Sequence, residues 1–256
     1  TCTRRTVALT NHRESSKMII KHLGMSGLSL EIGGARLALD PPCPLSDPVV
    51  VTWSEAERVA GLKGATAAAG APALLAWRRT HGTALPAGVP TEFAGFKICA
   101  TPFEPIPYAT PAEAVRKTWS GLRSPLLAAS RLSHTLRRPR DLPQTLSIER
   151  NSVRVAYLHQ ALHRFLPDTE RLALLEAHRG ADVLIAGTDF DDERATGELM
   201  HQFDARHCVV ADLIGPIRRM LRLPSRPLRV TLDVSPSGTA ALEEHQSLTL
   251  SLSASR

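Results

Sequence analysis

The stretch from Lys21 to Leu62, KHLGMSGLSLEIGGARLALDPPCPLSDPVVVTWSEAERVAGL, constrains this chain more than any other. Apolar residues over Gly27–Ile32 and Ala35–Leu39 predict two strands. Gly33-Gly34 between them predicts a hairpin, because glycine supplies the positive φ that a tight turn needs. Asp40-Pro41-Pro42 stops the second strand. The run from Pro48 to Thr52 is rich in β-branched residues and suits a strand buried on both faces. It leads directly into Ser54, which has Glu57 three residues on in capping-box spacing, and this predicts a helix over Ser54–Ala69. A strand that feeds a loop and then a helix is a place where α/β proteins put binding and catalytic groups.

The rest of the chain alternates in the same manner. Thr1 to about Lys17 is polar and basic without a period, and reads as an N-terminal arm before a domain spanning 18–256. Met18–Leu23 is a short strand, Ala73–Trp77 another, and Phe96–Ala100 a further one. Between about 110 and 140 two helices are expected as an insertion. Thr110-Pro111 with Glu113 opens the first, and Ser124-Pro125 opens the second. Strands resume at Leu146–Glu149 and Val153–Leu158 around Arg150-Asn151-Ser152. A helix over Thr169–His178 is closed by Gly180. Asp182–Ala186 is a buried strand, Asp192–Phe203 a helix and Cys208–Leu213 a strand. Ile217–Leu223 is a short basic helix. Val230–Val234 and Leu248–Leu252 are expected to pair as a final hairpin. Strands alternating with helices in this order predict a layered α/β domain.

Composition narrows the function classes. With 43% hydrophobic and 22% charged residues the chain is ordinary for a globular protein, and 256 residues bury a sizeable core. Aromatics are only 4%, so the core must be aliphatic. No apolar run is long enough to span a membrane. The four cysteines, Cys2, Cys43, Cys99 and Cys208, contain no C-x-x-C pair, which argues against a zinc knuckle or a redox pair and favours a reducing compartment such as the cytoplasm. The chain starts at Thr1, which leaves open a targeting segment already removed. A net charge of +6 permits anionic partners without requiring them. Arginines gather in two places, Arg137, Arg138 and Arg140 at the end of the insertion, and Arg218, Arg219 and Arg222 on the basic helix. Either group could contact an acidic protein or RNA, but neither has the interleaved aromatics of a base-stacking surface.

Nucleophile and nucleotide signatures are missing. Gly24-Met25-Ser26-Gly27 lies in a hairpin and not at a nucleophile elbow, and no phosphate-binding or dinucleotide glycine loop is present. Two sets of metal-type residues remain. Asp189, Asp191 and Asp192 crowd a loop after a strand, where oxygen ligands could hold Mg²⁺ or Ca²⁺. His159 and His163 have the i, i+4 spacing of a helical ligand pair, without a Glu between them. The bland readings are a solvated loop that caps the next helix and two ordinary histidines.

The order HLGMSGLSLEIGGARLALDPP, a β-run, then TWSEAERVAGL resembles the amino-terminal half of the metallo-β-lactamase fold, in its metal-dependent hydrolase-like branch. SIERNSVRVAYLHQAL, ADVLIAGTDFDD and CVVADLIGP are similar to its later strands. The resemblance implies an αββα sandwich with the helical insertion at about 110–140. It also implies where the metal ligands would stand. The His of the first turn is Met25 here. In the Thr-His-x-His-x-Asp-His loop Thr52 is kept, while Trp53, Glu55, Glu57 and Arg58 replace the two His, the Asp and the last His. A Gly-Asp pair becomes His159-Gln160, and the final His falls at Asp212 or Leu213. A metal centre needs several imidazoles and a carboxylate converging on one point, and Arg58 would set a fixed positive charge there instead.

These residues lead to the expectation of a catalytically inactive pseudoenzyme with this fold, without catalytic residues, metal or cofactor. It would act as a structural or binding subunit of a larger protein assembly. Two alternatives stay open. One is a metal-dependent ester or phosphoester hydrolase with a centre relocated to Asp189, Asp191 and Asp192 with His159 or His163. The other is a basic nucleic-acid-binding module.

Overall fold

A computed structural model describes residues 16–24, 27–54, 56–62, 64–76, 82–104, 141–159, 161–162, 166–187, 193–211 and 231–252. Two mixed sheets dominate them. The first is built from β14 (Ser247–Leu252), β1 (Ser16–Gly24), β2 (Gly27–Ile32), β3 (Ala35–Leu39), β4 (Val49–Val51), β5 (Ala67–Ala69) and β6 (Thr83–Ala84), in that spatial order. The second runs β13 (Ala240–Leu242), β12 (His207–Ala211), β11 (Val183–Gly187), β10 (Val153–His159), β9 (Gln144–Arg150), β8 (Phe96–Pro102), β7 (Thr91–Phe93). Each sheet has an antiparallel meander and a parallel half. β3 to β6 are parallel in the first, and β10 to β13 in the second.

Alternation decides which faces meet. Met18, Ile20, Leu28, Leu30, Ile32, Leu37 and Leu39 of the first sheet pack against Phe96, Ile98, Leu146, Ile148, Val155, Ile185 and Val209 of the second, all fully buried. The outer faces are covered by helices. Val59 and Leu62, from α1 (Ala56–Val59) and the 3₁₀ turn Ala60–Leu62, pack on the first sheet with Ala73 and Leu74 of α2 (Ala71–Ala76). Leu174 of α3 (Asp168–His178), Met200 of α4 (Glu193–Met200) and Phe203 cover the second. The layers are therefore α, β, β, α.

Turn chemistry holds where it was expected. Gly33 and Gly34 take φ of 56° and 77°, and Asn151 and Ser152 take 49° and 62°, so both hairpins close on left-handed pairs. Gly180 takes φ of 68° after α3.

Three expectations are corrected. The helix over Ser54–Ala69 is only α1 plus the 3₁₀ turn, and Ala67–Ala69 is strand β5. Gly64, at φ 76°, turns the chain out of the helix. The three alanines are then hydrogen-bonded between β4 and β6 and buried, so tertiary pairing overrides alanine's helix preference. The strand expected at Ala73–Trp77 is helix α2, whose Pro72 sits in the first turn where a missing N–H costs nothing. The final hairpin does not form. Residues 231–233 are helical, β14 pairs with β1, and β13 joins β12 in the other sheet. Of the arm expected at 1–17, Ser16 and Lys17 belong to β1 and residues 1–15 lie outside the described residues, as do the insertion at 110–140 and the basic helix at 217–223. Among the described residues no helix is long and apolar enough to cross a membrane.

Candidate functional site

At one end of the sandwich the ends of β3, β4 and β10, together with α1, bring five polar side chains (Asp40, Thr52, Arg58, Tyr157 and His159) into one buried space. Asp40 follows β3 in a left-handed conformation at φ 44° and is fully buried. Two glycines let the Asp40-Pro41-Pro42 corner come this close. A Cβ on Gly27 would lie 2.6 Å from the Pro42 ring, and one on Gly61 2.5 Å from the Pro41 carbonyl oxygen. The Asp40 carboxylate accepts the Thr52 N–H at 2.8 Å and the Thr52 hydroxyl at 2.6 Å, so the corner after β3 is tied to the end of β4.

Arg58 enters this space from α1 and is 4% exposed. Its Nη1 donates to Asp40 Oδ2 at 3.1 Å and to Thr52 Oγ1 at 2.9 Å. Its Nη2 reaches His159 Nδ1 at 3.4 Å, and its Cζ stands 5.6 Å from the centre of the Trp53 ring. Trp53 is held by its Nε1, which donates to the Asp141 carbonyl at 2.9 Å. The Ser54 hydroxyl also goes to Asp141, donating to its Oδ1. From the second sheet Tyr157 aims its hydroxyl at Asp40 Oδ2, 3.4 Å away. The ring of His159 stands edge-on to that of Tyr157 at 5.9 Å. The cluster therefore pins both sheets together.

Charge follows from this arrangement. Burial pushes the Asp40 carboxyl up, opposed by Arg58 and by the Thr52 donors. Every contact named above is a donor facing the carboxylate, which is the pattern of an ionised group balanced by Arg58. Burial and then the Asp40 charge raise the Tyr157 phenol well above its usual range. Burial and then Arg58 push His159 well below the ordinary histidine range, so the ring is neutral. Because a guanidinium can only donate, Nδ1 is the acceptor and Nε2 carries the proton; Nε2 is buried without a partner.

These residues do not fit a metal ion. The cluster's one fixed cation is the guanidinium, it is paired with the carboxylate, and the imidazole lone pair on Nδ1 faces it. Among the described residues no group of three His, Cys, Asp or Glu side chains is arranged to hold a metal.

The sequence-derived positions divide as follows. Trp53, Arg58 and His159 come together in this cluster. Of Glu57 only the backbone, in α1, is described. Met25, Glu55, Gln160, His163, Asp189, Asp191, Asp192, Asp212, Leu213, Arg137, Arg138, Arg140, Arg218, Arg219 and Arg222 lie outside the described residues. In the sequence Asp40 reads as no more than a strand stop. Its signal was an ionisable residue placed after an apolar strand and before two prolines, with Thr52 at the matching end of the next parallel strand. Tyr157 gave no signal, since an aromatic in an apolar strand reads as core. His22 is fully buried too, and its Nδ1 accepts the Gly24 N–H at 3.0 Å, which fixes the last residues of β1. Cys43 is exposed, Cys99 half-buried and Cys208 buried, all as free thiols, and burial raises the Cys208 thiol to about 11.

Solved structures were compared with this architecture. A metallo-hydrolase, Igni18, from the archaeon Ignicoccus hospitalis superposes with a TM-score of 0.59 at 14% identity, over 91% of this chain and 98% of its own. The metallo-β-lactamase fold protein YhfI from Bacillus subtilis gives 0.58 at 12%, over 91% and 100%. This chain has the metallo-β-lactamase fold. A third such structure, isothiocyanate hydrolase from Delia radicum gut bacteria, gives 0.56 at 12%, over 93% and 100%. At these identities the likeness carries the fold alone. No protein-family model matches the chain, and no curated protein is significantly similar to it.

Proposed function

We propose that this chain is a catalytically inactive metallo-β-lactamase-fold protein that serves as a structural or binding subunit of a larger protein assembly. One observation carries the reading. The Arg58 side chain, 5% exposed, is ion-paired with a fully buried Asp40 at 3.1 Å, at the position where the resemblance places the last histidine of the metal loop. A cation supplied by the chain itself neutralises the buried acid. A divalent metal at the same point would face repulsion from a group that never loses its charge. The fold persists without the chemistry because core packing and site residues are separate sets. The arginine groups at 137–140 and 218–222 are the natural candidates for contact with an acidic partner.

One observation favours the rival reading, a hydrolase whose metal is held by Asp189, Asp191 and Asp192 with His159. The Nε2 of His159 is buried without a partner. Arg58 beside the other ring nitrogen opposes it. Metal analysis of protein purified without chelator separates the two. The pseudoenzyme reading expects far less than one equivalent of transition metal, with no change on Asp191→Ala. A full equivalent that is lost on Asp191→Ala would overturn it.

A further inference from the structure

Of the four sheet edges among the described residues, three are very short. β6 has two residues, and β7 and β13 have three each. Short edge strands are one way in which proteins avoid pairing edge to edge. The fourth edge, β14, is different. It has six residues, Ser247-Leu248-Thr249-Leu250-Ser251-Leu252, with no proline and no charge. Its register with β1 runs unbroken from Ser16↔Leu252 to Lys21↔Ser247, with no bulge to twist the edge away. Among the described residues it carries none of the usual protections.

The direction of its free hydrogen-bonding groups can be worked out. The His22 N–H donates to the Gln246 carbonyl at 2.9 Å, so residues 22 and 246 form a hydrogen-bonded pair. Antiparallel ladders alternate such pairs with open ones. Ile20↔Leu248, Met18↔Leu250 and Ser16↔Leu252 are therefore the bonded pairs. Ser247, Thr249 and Ser251 point their N–H and C=O groups away from β1. Among the described residues no hydrogen bond engages them from outside the sheet. Their side chains are exposed, whereas Leu248 and Leu250 are half-buried and pack on the rim of the core between the sheets.

We propose that this edge pairs with the same edge of a second copy of the chain, antiparallel, with Thr249 on the two-fold axis. The sequence is self-complementary in this register and in few others. Thr249 then faces Thr249 of the second copy, and Ser247 faces its Ser251, as three hydrogen-bonded pairs that use every outward group of the strand. Leu248 faces Leu250 of the second copy on the core side, so the half-open rim of each core is closed by the other. A slip by one residue would set Leu against Ser or Thr and turn the apolar face of one strand toward the polar face of the other. Opposed Thr and Ser side chains also make favourable cross-strand contacts. The result is a closed, isologous dimer with a continuous sheet across it. This inference does not depend on whether the Arg58 cluster has lost its chemistry.

Sedimentation equilibrium of the full chain tests it, with three proteins: wild type, Thr249→Lys and Thr249→Pro. The lysine variant sets two like charges face to face on the axis. The proline variant removes one outward N–H per copy without touching the ladder to β1. Wild type is expected at twice 27.8 kDa, and both variants at 27.8 kDa with an unchanged melting temperature. A wild type that stays monomeric at high concentration, or a dimer that survives both substitutions, overturns the proposal. Amide hydrogen exchange of the wild type gives an independent reading if a variant folds poorly. Ser247, Thr249 and Ser251 should be protected in concentrated and exposed in dilute solution; free exchange at all concentrations overturns it.

Discussion

Substituting Arg58 by Met keeps an unbranched apolar stem and removes the guanidinium with its charge and donors. Asp40 would then remain fully buried with the Thr52 donors and the distant Tyr157 hydroxyl, but with no counter-charge from Arg58. At a charge separation near 4 Å and an effective dielectric of about 20, the lost attraction is about 4 kcal/mol. Removing one partner of a buried pair costs about 3–5 kcal/mol in general, which agrees. For a chain of this size the midpoint of thermal unfolding should fall by roughly 6–20 °C. Urea denaturation followed by circular dichroism would measure the free-energy change. The double variant Asp40→Asn with Arg58→Met should be less destabilised than the two single changes added together, by about 0.5–3 kcal/mol, because the groups are in contact. If Arg58→Met lies within about 1 kcal/mol of wild type, or the double variant is strictly additive, the pair does not hold the site together and the reasoning fails.

Two further predictions concern burial and close approach. His178 is buried, with Nε2 2.7 Å from the Thr145 hydroxyl and Nδ1 unpartnered, and burial, then Arg154, push it down to about 3. Unfolded histidine takes its proton near 6.5, so the unfolded state binds more protons between those values, and stability must fall as pH drops from about 6.5 toward 3. The loss should approach about 1.4 kcal/mol per pH unit for this residue. His159 acts in the same direction, and Asp40, whose pKa is raised, in the opposite one. Urea midpoints measured from pH 7 to 4 should show the slope, and a slope left unchanged by His178→Gln would contradict the assignment. Gly61→Ala should cost about 1–3 kcal/mol because the new methyl meets the Pro41 carbonyl oxygen. Gly70→Ala, whose methyl would find nothing nearer than 3.6 Å, should be nearly neutral, and equal effects in a thermal melt would refute the close-approach argument.

Much of the fold was legible because its signals are local. β2 and β3 run over the expected residues since two glycines fix the turn between them. The β9–β10 hairpin was readable for a related reason, a polar turn between two apolar runs. Where tertiary context decides, local reading failed. Ala67–Ala69 has no strand signal of its own and becomes a strand because β4 and β6 lie on either side of it. β14 could not be assigned to β1 from sequence, since Ser16 and Leu252 stand near opposite ends of the chain. The site was half legible. Trp53, Arg58 and His159 are legible as departures from the metal-loop pattern that the sequence resembles. Asp40 did not, because a carboxylate declares its role only when a donor is seen beside it.

The cluster also bears on how firmly the chain is committed to its present state. Arg58→His would place one imidazole among these residues and at the same time remove the counter-charge of Asp40. That change carries the cost of breaking the pair before any metal could repay it, and a single imidazole is far from a metal site. His159 Nδ1 would lose its donor in the same step. A metal centre at this point would therefore require several substitutions together, the one at Arg58 destabilising alone. A buried ion pair of this kind resists stepwise replacement more than apolar packing does, because apolar residues can be exchanged one at a time.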